Sequence, residues 1–225
     1  MGTDNLHHKR KAKLNEDTSR RKALRKPYDK VLIVCEGGKT EPQYFGEIKD
    51  HYEIDSANVR ITGDCGSDPV SVVNYALELY QYEKCKGDCF DRVYCVIDQD
   101  SYKLPPNKYQ QALDKIASVK PKNTFFSITS VPCFEYWLLL HFIYTTSPFS
   151  SVGGVSAGAA VLQQLKNYWP EYEKALKGTF VSRLTELELA TTNAIRSLAD
   201  AQENHTDNPS THIHELVNFL KNIKN

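Results

Sequence analysis

Three acidic residues in this chain stand where carboxylates can do chemistry. Val31-Leu32-Ile33-Val34-Cys35-Glu36 and Val93-Tyr94-Cys95-Val96-Ile97-Asp98-Gln99-Asp100 are apolar runs that end in carboxylates. A continuous apolar run bounded by polar residues fits a central parallel strand, covered on both faces. In an open α/β sheet the ligand site lies outside the carboxyl ends of the strands. Glu36, Asp98 and Asp100 are therefore expected on one rim of one sheet. Carboxylates crowded there repel one another unless a positive charge sits between them, and hard oxygen ligands suit Mg²⁺ or Mn²⁺. Asp98 and Asp100 share a face if the chain is extended, so they can grip one metal ion or two adjacent ones. Glu36 completes the shell or serves as general base toward a water or hydroxyl. A D-x-D by itself is common at strand ends and in turns. The pairing with a Glu at another strand end gives the pattern its weight.

Other residues near these carboxylates carry weaker readings. Gly38-Lys39-Thr40 resembles the end of a P-loop, but the pattern needs a glycine where Ile33 stands, and the strand runs directly into Glu36. A Walker A site is rejected. Gly37-Gly38 instead offers a tight turn into a helix whose N–H groups can meet a phosphate. Lys39 is then a phosphate contact or a solvated turn residue. Glu41 reads as a helix N-terminal charge rather than a catalytic group. Glu135 lies in the apolar stretch 132–142, where an unpaired buried carboxylate is costly. It belongs either at a helix start or in the site as a further acidic group. His141, six residues on, is not on the same helical face and reads as a satisfied core or interface histidine. His212 and His214 lack helical metal-pair spacing and read as surface residues. Cys35, Cys95 and Cys133 lie in apolar stretches and read as small buried residues. Cys85-Lys86-Gly87-Asp88-Cys89 has no clear second ligand pair for zinc.

The elements that must hold these groups alternate. Strands are expected at 30–35, 58–62, 91–98 and 124–130. Helical patterns follow from Pro42 through Ile48, from Val72 to Tyr80, and from Tyr109 to Ile116. The loop Gly63-Asp64-Cys65-Gly66-Ser67-Asp68-Pro69 has turn chemistry and a helix N-cap. The stretch 134–142 reads as a strongly apolar helix. Strands separated by helices imply βαβ units and a mainly parallel sheet. Beyond Tyr144 a Ser/Gly/Thr-rich loop, 145–158, leads to helical patterns at 159–168, 182–203 and 212–223, the last two separated by Asn208-Pro209-Ser210-Thr211, which supplies a cap. The organisation expected is a basic flexible arm (1–27), an α/β catalytic domain (28–144) and a helical C-terminal extension (145–225) packed on it. Tyr168, Trp169 and Tyr172 in that extension are assigned to the core in preference to a partner surface.

The 225 residues, 40% hydrophobic and 25% charged, are ordinary for a globular protein. No apolar run is long enough to span a bilayer, since Glu135 and His141 interrupt the longest candidate. The polar, basic N-terminus has no secretory leader pattern, and the location expected is cytoplasmic. Formal net charge is zero, which excludes a generic polyanion binder, yet residues 1–30 hold ten basic residues against four acidic, +6, leaving −6 elsewhere. Such an arm either tracks phosphates or is a solvated tail.

Several stretches together resemble RloB-like proteins. Ile33-Val34-Cys35-Glu36-Gly37 followed by Lys39-Thr40-Glu41-Pro42 and Tyr44-Phe45 is similar to that family's opening motif. Val96-Ile97-Asp98-Gln99-Asp100, the Pro132–Phe142 block, Tyr172-Glu173-Lys174 and Asn208–Thr211 follow in the same order, so the resemblance spans about 28 to 220. The resemblance implies a Toprim-like fold, the parallel-rich sheet of topoisomerase and primase sites. In it Glu36, Asp98 and Asp100 hold the divalent metal. It further implies a bacterial restriction or abortive-infection locus with an AAA-type ATPase partner. Gln99 stands where similar sequences often have Arg, so no phosphate role carries over to that position. The function expected is a metal-dependent nuclease on DNA or RNA, with Glu36, Lys39 and Glu135 as catalytic residues. Two alternatives stay open: a catalytically weak nucleic-acid-binding or effector module working with the ATPase, and a small-nucleotide phosphohydrolase or transferase. Self-association into a homo-oligomer is likewise left open.

Overall fold

A computed structural model describes residues 27–66, 68–99 and 107–225. The basic arm up to residue 26 and Asp100 lie outside the described residues. The sheet contains β1 (Val31–Cys35), β2 (Val59–Thr62), β3 (Arg92–Asp98), β4 (Phe125–Val131) and β5 (Ser210–Thr211). Its order is β2-β1-β3-β4-β5, with the first four strands parallel and β5 antiparallel to β4. The helices are α1 (Thr40–His51), α2 (Pro69–Cys85), α3 (Asn107–Ser118), α4 (Glu135–Leu139), α5 (Ala157–Tyr168), α6 (Leu187–Glu203) and α7 (Ile213–Lys221). A 3₁₀ turn at Val181–Glu186 leads into α6.

The apolar runs form strands buried on both faces because the pleat sends alternate side chains to opposite layers. Val31, Ile33 and Cys35 of β1, with Tyr94 and Val96 of β3, join one core. Leu32 and Val34, with Val93, Cys95 and Ile97, join the other. Helix α1 covers the first face through Tyr44, Phe45 and Ile48. Helices α2 and α3 cover the second through Val72, Val73, Ala76, Tyr80, Ala112 and Ile116. The C-terminal helices share the first core: Val161, Leu165, Trp169, Tyr172, Ala190, Leu216 and Leu220 are all buried in it. Tyr168 is exposed and stacks on Phe142 with ring centroids 6.0 Å apart.

Two elements depart from the sequence pattern. The apolar helix expected over 134–142 is only α4, five residues long. It stops because α6 meets its end: Asn193 donates its side-chain N–H to the Leu140 carbonyl, 2.9 Å, and Tyr136 Oη meets Ser197 Oγ at 2.8 Å. Apolar residues buried on every side set no helical period, so the pattern could not mark this end. The second departure is β5. The segment 208–211 does not supply the N-cap of α7, which is His212 with no side-chain cap, although Thr211 Oγ1 accepts the Ile213 N–H; Ser210 and Thr211 instead pair as a strand with Val131 and Ser130. A two-residue edge strand after Pro209 carries no alternation to read. The Asp68 cap is present, accepting from the Val70 and Ser71 N–H groups.

At the amino end of the sheet, Lys30 is buried. Its ammonium lies 2.8 Å from Glu83 Oε2, 2.9 Å from Asp88 Oδ2 and 2.8 Å from the Asp88 carbonyl, tying the end of α2 to the start of β1.

Candidate functional site

The chain leaves β1, places β2 on one side of it, and then returns to place β3 on the other. Between β1 and β3 the winding therefore reverses, and a crevice opens there at the carboxyl ends. Glu36 follows β1 and Asp98 ends β3, so both carboxylates flank this crevice. A cleft of about 950 Å³ occupies it, lined by Glu36 to Glu41, Asp98, Cys133 to Glu135 and, from the C-terminal region, Ser156, Leu162 and Lys174 among others.

The two strand ends are stitched together through their acids. The Glu36 N–H continues the ladder to the Val96 carbonyl, 3.1 Å. Glu36 Oε2 accepts the Asp98 backbone N–H at 3.1 Å. Asp98 Oδ2 in turn accepts the Phe134 N–H at 3.1 Å, which fixes the segment leading from β4 into α4. Asp98 Oδ1 is buried with no hydrogen-bond partner among the described residues. Burial, then the charges of Glu41, Glu135 and Glu36, raise the Asp98 carboxyl well above its ordinary value.

Glu135 resolves both sequence readings at once, being the first residue of α4 and a lining residue of the cleft. It is buried, 2% exposed, and is paired with Lys174, whose Nζ lies 3.3 Å from its Oε1. Lys39, exposed at the helix N-cap position of α1, makes no side-chain cap and faces the cleft.

Glu41 sits in the first turn of α1, as the sequence reading has it, and it is also buried in the cleft wall. Its carboxylate folds back over Gly37, where a Cβ would lie 2.3 Å from Oε2. Burial first, then the charge of Glu135, raise this carboxyl, while backbone N–H groups and Lys174 oppose the rise. The Gly37-Gly38 turn is also pressed by the loop after β2: a Cβ on Gly63 would meet Gly37 O at 2.3 Å. The glycines thus serve close packing of two loops and a folded-back carboxylate.

Lys174 and Tyr172 had no assigned role in the sequence beyond family motif and core. Tyr172 is fully buried, and burial followed by the Glu135 charge pushes its phenol up. Burial opposes the charge on Lys174, but Glu135, Cys133 and Asp98 together outweigh it and the ammonium is held above its ordinary value. A motif match signalled both residues, but only the tertiary fold shows what they face.

The other candidates fall outside this site. His141 is a core histidine, its Nδ1 3.1 Å from the Trp137 carbonyl, and burial pulls the imidazole down to about 4. His212 is surface and pairs with Glu215 at 2.9 Å. His214, expected on the surface, is buried at 6% exposure because α7 turns that face onto the core. Cys35, Cys95 and Cys133 are buried thiols, as their apolar neighbourhoods imply. Among the described residues no three His, Cys, Asp or Glu side chains are grouped closely enough to hold a metal ion. No described helix is long and apolar enough to cross a membrane.

A five-stranded, mostly parallel α/β sheet with an acidic cleft at its winding reversal defines the class of this protein. The chain belongs to the RloB-like protein family, whose model matches residues 31–220. No curated protein and no solved structure matches the chain.

Proposed function

We propose that this protein is a divalent-metal-dependent phosphodiesterase of the Toprim type, cleaving DNA or RNA in a bacterial anti-phage system beside an AAA-type ATPase. The observation that carries the reading is the convergence of Glu36, Glu41, Asp98 and Glu135 on one cleft, with Asp98 Oδ1 buried and, among the described residues, unpartnered. Crowded carboxylates in a cleft whose titration is shifted by burial and by one another are candidates for a functional site. The donor set is all carboxylate oxygen, which suits Mg²⁺ or Mn²⁺ over softer metals. Asp98 and Glu36 would hold the ion, with Asp100 as a third ligand by family resemblance. When bound, such an ion stabilises charge on a phosphoryl oxygen and activates water.

The chain's own residues supply the rest. The Glu36–Asp98–Phe134 hydrogen bonds hold both carboxylates at fixed angles without spending every lone pair. Glu135 and Glu41 stand behind them as further acids, and one of them can take a proton from an attacking water. Lys39 and the Gly37-Gly38 turn face the space where a phosphate would enter. A second reading, an effector module with a weak site that acts through the ATPase, is favoured by the lack of any three-residue metal group among the described residues.

The test is cleavage of single- and double-stranded DNA and RNA with Mg²⁺, with Mn²⁺ and with EDTA, on the parent and on Asp98→Asn. Cleavage that needs the metal and disappears in the variant supports the nuclease. An Asp98→Asn protein as active as the parent sinks it. Metal binding by calorimetry without cleavage moves the reading to the effector module.

A further inference from the structure

Among the described residues, the cleft that would receive a phosphodiester is lined by four carboxylates and by two ammonium groups, Lys39 and Lys174. An anion approaching that floor is repelled unless a cation reaches between it and the acids. Lys174 has the geometry for this. Its side chain is 65% exposed, yet its Nζ reaches 3.3 Å from a carboxylate that is only 3% exposed. Because most of the Lys174 side chain is exposed, the ammonium can leave Glu135 for a ligand without repacking the core.

The backbone that presents Lys174 is clamped by α1, the helix that begins in the cleft. Thr40 Oγ1 accepts the Ala175 N–H at 3.2 Å. Gln43 donates to the Leu176 carbonyl at 2.7 Å. Glu47 accepts the Gly178 and Phe180 N–H groups at 2.7 and 2.8 Å. Ala175, directly after Lys174, is held at φ 63°, a left-handed conformation that is strained for a non-glycine residue. Strain of this kind persists where surrounding contacts over-determine it, and here it aims one lysine. A tether to Glu135 alone needs no such precision, because a flexible lysine finds a carboxylate from many backbones.

We propose that Lys174 is a substrate-contacting residue that grips a backbone phosphate of a polynucleotide in the cleft and rests on Glu135 when the cleft is free. The inference rests on the nucleic-acid part of the proposed function, but not on cleavage or on a metal ion.

The experiment is a binding titration of the full chain with a labelled single-stranded oligonucleotide in EDTA, repeated over a series of salt concentrations. Loss of one phosphate contact on a single strand should lower the slope of log affinity against log salt by about 0.7, which is about five-fold in affinity near 0.1 M salt. Lys174→Ala should show that loss, and Lys174→Arg should retain the parent's slope. Lys122→Ala, an exposed lysine before β4 at the opposite end of the sheet, should leave the slope unchanged. If Lys174→Ala folds poorly by thermal unfolding, Lys174→Gln is read against Lys174→Arg in the same way. An unchanged slope in the neutral variants, or a parent that binds no oligonucleotide, overturns the proposal. Cleavage assayed with Mg²⁺ on the same samples separates the two readings. A parent that binds in EDTA but never cleaves defeats the nuclease and leaves Lys174 standing. Cleavage with an unaltered slope does the converse.

Discussion

Asp98→Asn should stabilise the metal-free protein while removing the proposed cleavage. Among the described residues Asp98 Oδ1 is buried without a partner, and its carboxyl is raised above the ordinary 3.8 by burial and by Glu41, Glu135 and Glu36. The folded chain therefore keeps a proton that the unfolded chain has released. Stability falls as pH climbs from the ordinary carboxylate range through the raised value, by at most about 1.4 kcal/mol per pH unit for each such proton. Asparagine removes the charge, still accepts the Phe134 N–H through its carbonyl oxygen, and turns an amide N–H₂ toward the neighbouring carboxylates. An unsatisfied buried acceptor costs about 1–3 kcal/mol, so a gain of about that size is expected at pH 8, or roughly 2–4 °C in Tm for each kcal/mol in a chain this long. The assay is thermal and urea unfolding in EDTA between pH 4 and 8, parent against variant. The advantage of the variant should shrink toward pH 4, where the parent's carboxyl is already protonated. A variant less stable than the parent at pH 8, or an advantage that does not change with pH, refutes the account of this site.

Three further perturbations follow from the same packing. Lys30→Met leaves the Glu83 and Asp88 carboxylates without their shared ammonium. It should cost about 3–5 kcal/mol in urea unfolding, with the proposed cleavage per folded molecule unchanged because Glu36 and Asp98 lie at the far end of the sheet. Gly63→Ala places a methyl 2.3 Å from Gly37 O and 2.9 Å from Gly38 Cα, which are backbone atoms that cannot yield cheaply. A loss of about 1–3 kcal/mol is expected, together with reduced activity from the displaced turn, read by unfolding and cleavage on the same preparation. His141 has its imidazole lowered to about 4 by burial, so the unfolded chain binds the extra proton, and stability is lost as pH falls from about 6.5 toward 4. In His141→Gln that loss should be absent, so the difference between parent and variant narrows across this window in a pH series of unfolding midpoints.

The sequence by itself determined the strands and the rim. Val31–Cys35 and Arg92–Asp98 are legible because a strand covered on both faces must be apolar throughout, and a carboxylate can appear only where it ends. That logic placed Glu36 and Asp98 together before any coordinates, and the resemblance to the RloB-like family agrees with the family match over 31–220. What only the tertiary structure decided is the company those acids keep. The strand order puts the winding reversal between β1 and β3, and local pattern does not encode order. Glu41 looked like a helix-start charge because its spacing says nothing of a glycine turn over which it folds back. Lys174 reaches Glu135 across 39 residues of chain because α1 holds its backbone through Thr40, Gln43 and Glu47, long-range contacts that leave no periodic trace. The two-residue strand at Ser210–Thr211 and the early stop of α4 belong to the same group. Each is set by a neighbour distant in sequence, whose hydrogen-bonding groups must be satisfied once the core closes.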